Sequence, residues 1–375
     1  MTHRERIWAA IRGEPMDRIP WIPRWELWYE AAKRDGRLPE RYRDCSFFDI
    51  TRELGMGIKG NRGPLYRSEL CGVEVRVRTK GHETLTEYET PVGTVSTRFL
   101  ITPDLEQQGV RGRELGHLIE RREDYGSVLF MVEHTRLTPT PKAFLAYEDS
   151  IGEDGVAMAE AGDCPAHRIM REFTGYQNFY YELCDHPHQI EELLEALTEQ
   201  GDQILRFAVE SPAQIIRHDG NYDAQLTPPP IYEKYFLDWF QHFTGALHAA
   251  GKVVCTHTDG HNDGLMELIL ESGFDIAEAF TPPPMTHIGV AKARALWGNC
   301  ITIWGGIAST LMSVSVPEEE FEAHVRQVLD EAAPGDHFIL GTGDNVPTDS
   351  SLERIQRVTE LVEELGTYPL QKERL

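Results

Sequence analysis

His257 and Asp259 stand one residue apart in KVVCTHTDGH (252–261), at the end of an apolar run. On a strand that spacing turns both side chains to one face. An imidazole beside a carboxylate suits Zn2+, or the harder ions Fe2+ and Mn2+, provided that a third ligand comes from another strand and a position stays open for substrate. H-x-D alone is equally compatible with a proton-transfer pair or an ordinary strand end.

Other polar residues recur at comparable places. His218 and Asp219 close AQIIRHDG, Glu278 lies in FDIAEAF, and Asp344 ends DHFILGTGD. Each has a structural alternative. Asp219 and Asp344 lie near glycines and could cap the next turn or helix. His218 could be a satisfied core histidine. Glu278, in AEAFTPPP with no adjacent cation, would be costly to bury unless it served a ligand or a proton transfer. Cys255 shares the face of His257 and Asp259 one step deeper, where a buried structural thiol is expected. His261 is expected in the first turn of the following helix, facing solvent.

Something must bring these strand ends together. From about residue 150 onward, short apolar runs alternate with helical patterns. The runs are GVAMAEA, AQIIRHDG, KVVCTHTDG, FDIAEAF, CITIWGGI and DHFILGTGD; the helices are expected at 187–209, 231–249, 262–272, 289–297, 317–332 and 351–365. Alternation of this kind builds a parallel sheet with helical crossovers. With two further strands from the first part of the chain it closes as an eight-stranded (β/α)8 TIM barrel, an α/β fold whose chemistry sits at the carboxyl ends of the strands. The first 150 residues are less regular. They begin with an amphipathic segment, Arg4 to Arg12, and continue through RIPWIPRW to GVEVRVRTKGHETLTEYETPVGTVSTRFLI. There the period-two alternation and the TPVG turn predict antiparallel hairpins, a β-rich insertion at about 70–100 within a single domain spanning 1–375.

Composition narrows the function classes. The 61 acidic residues against 37 basic give a formal charge of -24, which repels phosphate backbones and anionic membranes, so a nucleic-acid partner is excluded. Six cysteines at 45, 71, 164, 184, 255 and 300 form no CxxC pair and read as reduced thiols. The N-terminus lacks an apolar signal region, and no uninterrupted apolar stretch reaches about 18 residues. A soluble, cytoplasmic protein is expected.

RERIWAAIRGEPMDRIPWIP, GYQNFYYELCDHPHQIEELLEALTEQ, GALHAAGKVVCTHTDG, ARALWGNCITIWGGI and FILGTGDNVPTDSSLERIQRV resemble, in order and spacing, the uroporphyrinogen decarboxylase superfamily. The resemblance spans nearly the whole chain apart from the hairpin region and about 100 to 150. It implies a β/α barrel and a homodimer, and leaves two activities open, because the superfamily holds both porphyrinogen decarboxylases and methyltransferases that work with corrinoid proteins. The decarboxylases carry an arginine-bearing stretch like MRQAGRYLPEYR and a GHGI-type histidine. This chain has PRWELWYEAAKRDGRLPERYRD, with Arg24, Arg34, Arg37 and Arg41, and GTGD. A strongly acidic chain with Asp344 where that histidine belongs suits a polyanionic porphyrinogen poorly.

The resemblance to the zinc methyltransferases is carried by HTDG and GTGD. Where those enzymes have H-x-C-G and a later cysteine, this chain has His257, Asp259 and Gly260, then Asp344. The implied metal ligands are therefore His257, Asp259 and Asp344, two of them carboxylates in place of thiolates. A harder, more Lewis-acidic zinc site of that kind suits an ether oxygen rather than a thiol. The expectation that follows is a methyltransferase demethylating a small, methoxylated aromatic substrate and passing the methyl group to a corrinoid (cobalamin) carried by a partner protein. Glu278 or Asp219 would deliver a proton to the departing oxygen. His218 would act from behind a ligand or on substrate, and Trp25, in an aromatic stretch with Trp21, Trp28 and Tyr29, would line the substrate pocket or lie in the core. Two other readings remain: a metal-independent decarboxylase or lyase, and a ligand-binding barrel without catalysis.

Overall fold

The computed structural model describes residues 1–107, 112–220 and 222–371. In chain order its strands are β1 (Ile58–Pro64), β2 (Tyr66–Leu70), β3 (Glu74–Lys80), β4 (Glu83–Thr90), β5 (Gly93–Leu100), β6 (Arg113–Gly116), β7 (Thr135–Pro139), β8 (Gly155–Gly162), β9 (Ile215–His218), β10 (Val253–His257), β11 (Ile276–Phe280), β12 (Thr302–Ile307) and β13 (Phe338–Thr342). They belong to two compact units, one of residues 1–63, 142–160 and 212–375, the other of 64–141 and 161–211.

The first unit is built on a seven-stranded sheet in the order β1-β8-β9-β10-β11-β12-β13, with the pairs from β9 to β13 parallel. All six apolar runs form strands, and the helices between them lie where the 3.6-residue periodicity puts them, as with Glu318–Ala332 and Leu352–Leu365. Among the described residues the sheet has seven strands rather than the expected eight. The eighth position is held by residues 20–22 of RIPWIP, a stretch too short and too rich in proline to form a full ladder. Leu340 N–H donates to Pro20 O at 3.0 Å, Ile22 N–H to Leu340 O at 2.9 Å, and Gly57 N–H to Trp21 O at 3.0 Å. This segment thus joins β13 to the residue preceding β1. Trp304 reinforces it, donating its indole N–H to Ile22 O at 3.1 Å.

Inside, Ile22, Met158, Ile215, Cys255, Ile276, Trp304 and Ile339 form a buried apolar cluster. The first strand enters this core despite its polar sequence, IKGNRGP. Gly60 and Gly63 make that entry possible: a Cβ on Gly60 would lie 2.8 Å from Val156 O, and one on Gly63 2.4 Å from Met158 O. The strand can therefore approach β8 closely only where it lacks side chains.

In the second unit, β3-β4-β5-β6 form a four-stranded antiparallel sheet and β2-β7 a two-stranded one. The hairpins expected at 70–100 are β3 to β5, and Thr90, in the TPVG turn, accepts at its hydroxyl from Val92 N–H and Gly93 N–H. No helix among the described residues is long and apolar enough to cross a membrane.

The N-terminal helix His3–Arg12 supplies a pH-sensitive element. Burial first, then the charges of Arg6 and Arg18, lowers the His3 imidazole from 6.5 to about 4, and its Nδ1 is buried with no hydrogen-bond partner. Below pH 6.5 the unfolded chain takes up a proton that the folded chain refuses until about pH 4. Stability contributed by neutral His3 is therefore lost as pH falls through that window, by on the order of 3 kcal/mol. Urea unfolding of wild type and His3→Leu at pH 7 and pH 4.5 should show a smaller pH-dependent loss in the variant; equal losses would assign the titration elsewhere.

Candidate active site

The carboxyl ends of the strands gather the polar residues. His257 is the last residue of β10, with Asp259 two positions beyond it, and Asp344 lies two positions beyond β13. One ligand atom from each of the three lies within 4.8 Å of the others. His257 Nε2 is 3.2 Å from an Asp259 carboxylate oxygen, while Nδ1 is 2.7 Å from Glu278 Oε2. The imidazole is thus gripped from behind, with its other nitrogen toward the carboxylates, the arrangement that orients metal-ligating histidines. Burial acts to raise the Asp259 carboxyl, but the His257 charge and hydrogen bond, with Arg24, outweigh it and hold the group below its ordinary range. The donor set, an imidazole and two carboxylates converging beyond the carboxyl ends of β10 and β13, fits a divalent ion.

Short polar contacts fix the loops. Thr258 donates its N–H and its hydroxyl to Glu278 O, at 2.8 and 3.0 Å. Thr281 hydroxyl donates to Gly343 O, tying the end of β11 to the segment that carries Asp344. Between Glu278 and Phe280 the β11–β12 register shifts, and Ala279 takes φ 58°, a left-handed conformation costly for a residue with a Cβ. Bulges of this kind re-aim neighbouring side chains.

Glu278 differs from its expected state. It is fully buried but not unpaired: Lys59 forms a direct ion pair with it, and Arg217 Nε lies 3.5 Å away. Burial first, then repulsion from Arg24 and Arg217, lowers the Lys59 ammonium well below its ordinary value. Arg217 also contacts Asp219 at 2.5 Å and Glu160 at 3.3 Å. A carboxylate paired on this many sides is placed to anchor His257, which sequence reading, with no cation adjacent to Glu278, did not anticipate.

Of the two alternatives open for His218 and Trp25, the structure places both residues in the core. His218 is 1% exposed, wedged edge-on against Phe240 and Phe243 with ring centroids 5.1 Å away, its Nδ1 2.8 Å from Asp219 O. Strand alternation explains this, because Arg217 and Asp219 share one face and His218 takes the other. Trp25 is fully buried against Trp28, Tyr29 and Phe47, with its indole N–H on Thr51 Oγ1 at 3.2 Å. It is core, not a pocket wall. Cys255 is buried as expected, and burial pushes its thiol up to about 12. His261 lies outside a helix, since the next one begins at Met266, and it is only partly exposed.

Two neighbours of the site, Lys59 and Arg217, escape sequence reasoning, and Arg24, noted there only as one of several arginines, proves to meet Asp344. Arg24 sits just past the closing segment and contacts Asp344 at 2.6 Å. It occupies one carboxylate oxygen and repels an incoming cation. Replacing it with Met removes both effects and should tighten zinc binding about tenfold, about 1.4 kcal/mol, measured by competition with a chromophoric chelator. Unchanged affinity would count against Asp344 as a ligand.

Comparison with known proteins follows the same lines. The family model described as Uroporphyrinogen decarboxylase (URO-D) matches residues 166–365. A uroporphyrinogen decarboxylase of Geobacter sulfurreducens is 27% identical over 173 residues, 45% of this chain and 48% of that protein, so the match spans about half the relative's length. A solved methyltransferase from Methanosarcina mazei superposes with a TM-score of 0.59 at 16% identity, covering 97% of this chain and 99% of that one. At that identity the likeness concerns the fold.

Proposed function

The chain belongs to the uroporphyrinogen decarboxylase family, and on that premise we propose that it is a metal-dependent methyltransferase, demethylating a small methoxylated substrate and passing the methyl group to a corrinoid carried by a partner protein. The observation that carries this reading is the convergence of His257, Asp259 and Asp344 within 4.8 Å. Those three residues would hold a divalent ion, zinc first, and that ion would supply Lewis acidity toward an ether oxygen. Glu278 keeps the His257 ring in register through the 2.7 Å contact. In the reaction the methyl carbon–oxygen bond breaks, the oxygen keeps the bonding pair and takes a proton, and the methyl group passes to the acceptor. Asp219, although paired with Arg217, is 29% exposed and can exchange its proton with solvent, and it is the carboxyl we assign to that proton; Glu278 is fully buried among its ion pairs.

The test is metal analysis of protein purified without added metal, followed by assay of methoxybenzoate demethylation with cob(I)alamin as acceptor, before and after chelation. Loss of one metal equivalent in His257→Ala, with turnover lost on chelation, supports the reading. Substoichiometric metal together with chelation-insensitive turnover would sink it. A metal-independent decarboxylase or lyase is the second reading, favoured by the Arg24–Asp344 pair, which satisfies Asp344 with no ion. Its signature is carbon dioxide release by chelator-treated protein.

A further inference from the structure

The H-x-D spacing occurs twice in a row. After His257-Thr258-Asp259 comes His261-Asn262-Asp263, in the loop between β10 and the helix Met266–Glu271. As the first pair meets Asp344 from the end of β13, the second meets His287, from the segment that follows β11. One ligand atom from each of His261, Asp263 and His287 lies within 4.8 Å of the others. We propose that these three residues form a second divalent-metal site, selective for zinc-like ions and separate from the one at His257.

Three observations support this. His287 Nδ1 lies 2.9 Å from Asp263 Oδ2, so imidazole and carboxylate already face one another. The His261 and His287 rings stand 4.8 Å apart between centroids, side by side without a hydrogen bond between them. His261 Nδ1 is buried with no hydrogen-bond partner, a state that costs free energy unless a ligand occupies the lone pair. The backbone around His261 is pinned: its N–H donates to Asp223 Oδ2 at 3.1 Å, its carbonyl accepts from Ala224 N–H at 2.7 Å, and Asn262 donates to Thr258 O and Gly260 O. Among the described residues, Lys292 is the cation in contact here, its Nζ 3.9 Å from Asp263 Oδ1.

The donor chemistry sets the ion class. Two imidazoles and one carboxylate favour zinc and its borderline neighbours over Mg2+ or Ca2+, which require oxygen ligands. His287 is largely exposed, so solvent would complete the coordination. A filled site would clamp the β10 loop to the segment after β11, and Asp259 lies two residues before His261 on that loop.

The test is zinc titration of the metal-stripped full-length protein, in competition with a chromophoric chelator and with millimolar Mg2+ present. His287→Ala, Asp263→Asn and His261→Ala should each remove one zinc equivalent from what wild type holds, or weaken it about 100-fold, while His257→Ala keeps that equivalent. His287 is exposed, so its substitution does not threaten folding. Wild-type stoichiometry and affinity in all three variants would overturn the proposal, as would displacement of that equivalent by Mg2+. This outcome is independent of the proposed methyl transfer, whose metal site fails instead if His257→Ala changes no zinc binding.

Discussion

Glu278→Gln is expected to lower the unfolding free energy by about 3–5 kcal/mol and to weaken zinc binding at His257 about 10–100-fold. The substitution keeps the shape of the side chain and removes its charge. Lys59 and Arg217, whose side chains are 3% and 8% exposed, then face a neutral amide: Arg217 stays charged, and Lys59, already held well below its ordinary value, is left either as an unpaired buried cation or to give up its proton. Arg217 keeps Asp219 and Glu160 as partners; Lys59 loses its direct ion pair. His257 loses the carboxylate that fixes its ring 2.7 Å away. Because Lys59 bears most of the stability penalty, Lys59→Met combined with Glu278→Gln should recover at least about 1 kcal/mol relative to the sum of the two single losses. Zinc affinity should not recover, since nothing restores the grip on His257. Urea unfolding and chelator competition on the four proteins separate the two effects. Strict additivity in stability would mean that the Lys59–Glu278 pair is not coupled as the geometry requires.

How legible this anchor was in the sequence depends on which strand one reads. In β10 the period-two rule was enough: His257 and Asp259 share a face, and Cys255 lies below them. The same rule in β9 separates His218 from Arg217 and Asp219, and a histidine beside an aspartate drew attention away from the arginine that faces inward. Lys59 had no signal. IKGNRGP carries two glycines and three polar residues, so it resembles a loop, and only the close approach to β8 at Gly60 and Gly63 explains why such a segment is a core strand. A strand that brings a buried cation to a buried carboxylate breaks hydrophobic patterning for that reason.

The closing segment shows the same limit from another side. RIPWIPRW stands out for its tryptophans, yet its contribution lies mainly in backbone hydrogen bonds, accepted by Pro20 O and Trp21 O and donated by Ile22 N–H. Prolines at 20 and 23 reduce strand propensity, while the contacts that make the segment structural are long-range and invisible in a local window. Arg24 follows two residues after Ile22, which is how a residue near the start of the chain comes to touch Asp344 near its end. Composition could show that such arginines were present; which one meets the site depends on the position of the closing segment.

Replacing Asp259 and Asp344 together by cysteine tests the chemical reason for the carboxylates. Thiolates at these two positions would recreate the sulfur-rich donor set that the resemblance implies for thiol-methylating relatives. Zinc should stay bound, and bind at least as tightly, because thiolate is the better zinc ligand. Demethylation of a methoxybenzoate should nevertheless fall by about 100-fold or more, since thiolates donate electron density that two carboxylates withhold, and loss of about 3 kcal/mol of oxygen activation has that effect on rate. His257→Ala, in contrast, should lose the zinc equivalent of this site together with turnover. The comparison separates an ion required for shape from an ion required for electrophilicity. Asp259 is partly buried and Asp344 is only 38% exposed, so both positions accept the smaller side chain without overpacking. Removing Asp344 also releases Arg24 from its 2.6 Å contact; adding Arg24→Met to the double variant controls for that freed charge. Full turnover with zinc bound by thiolates would show that oxygen ligation is incidental and that the carboxylates answer some other need of this site.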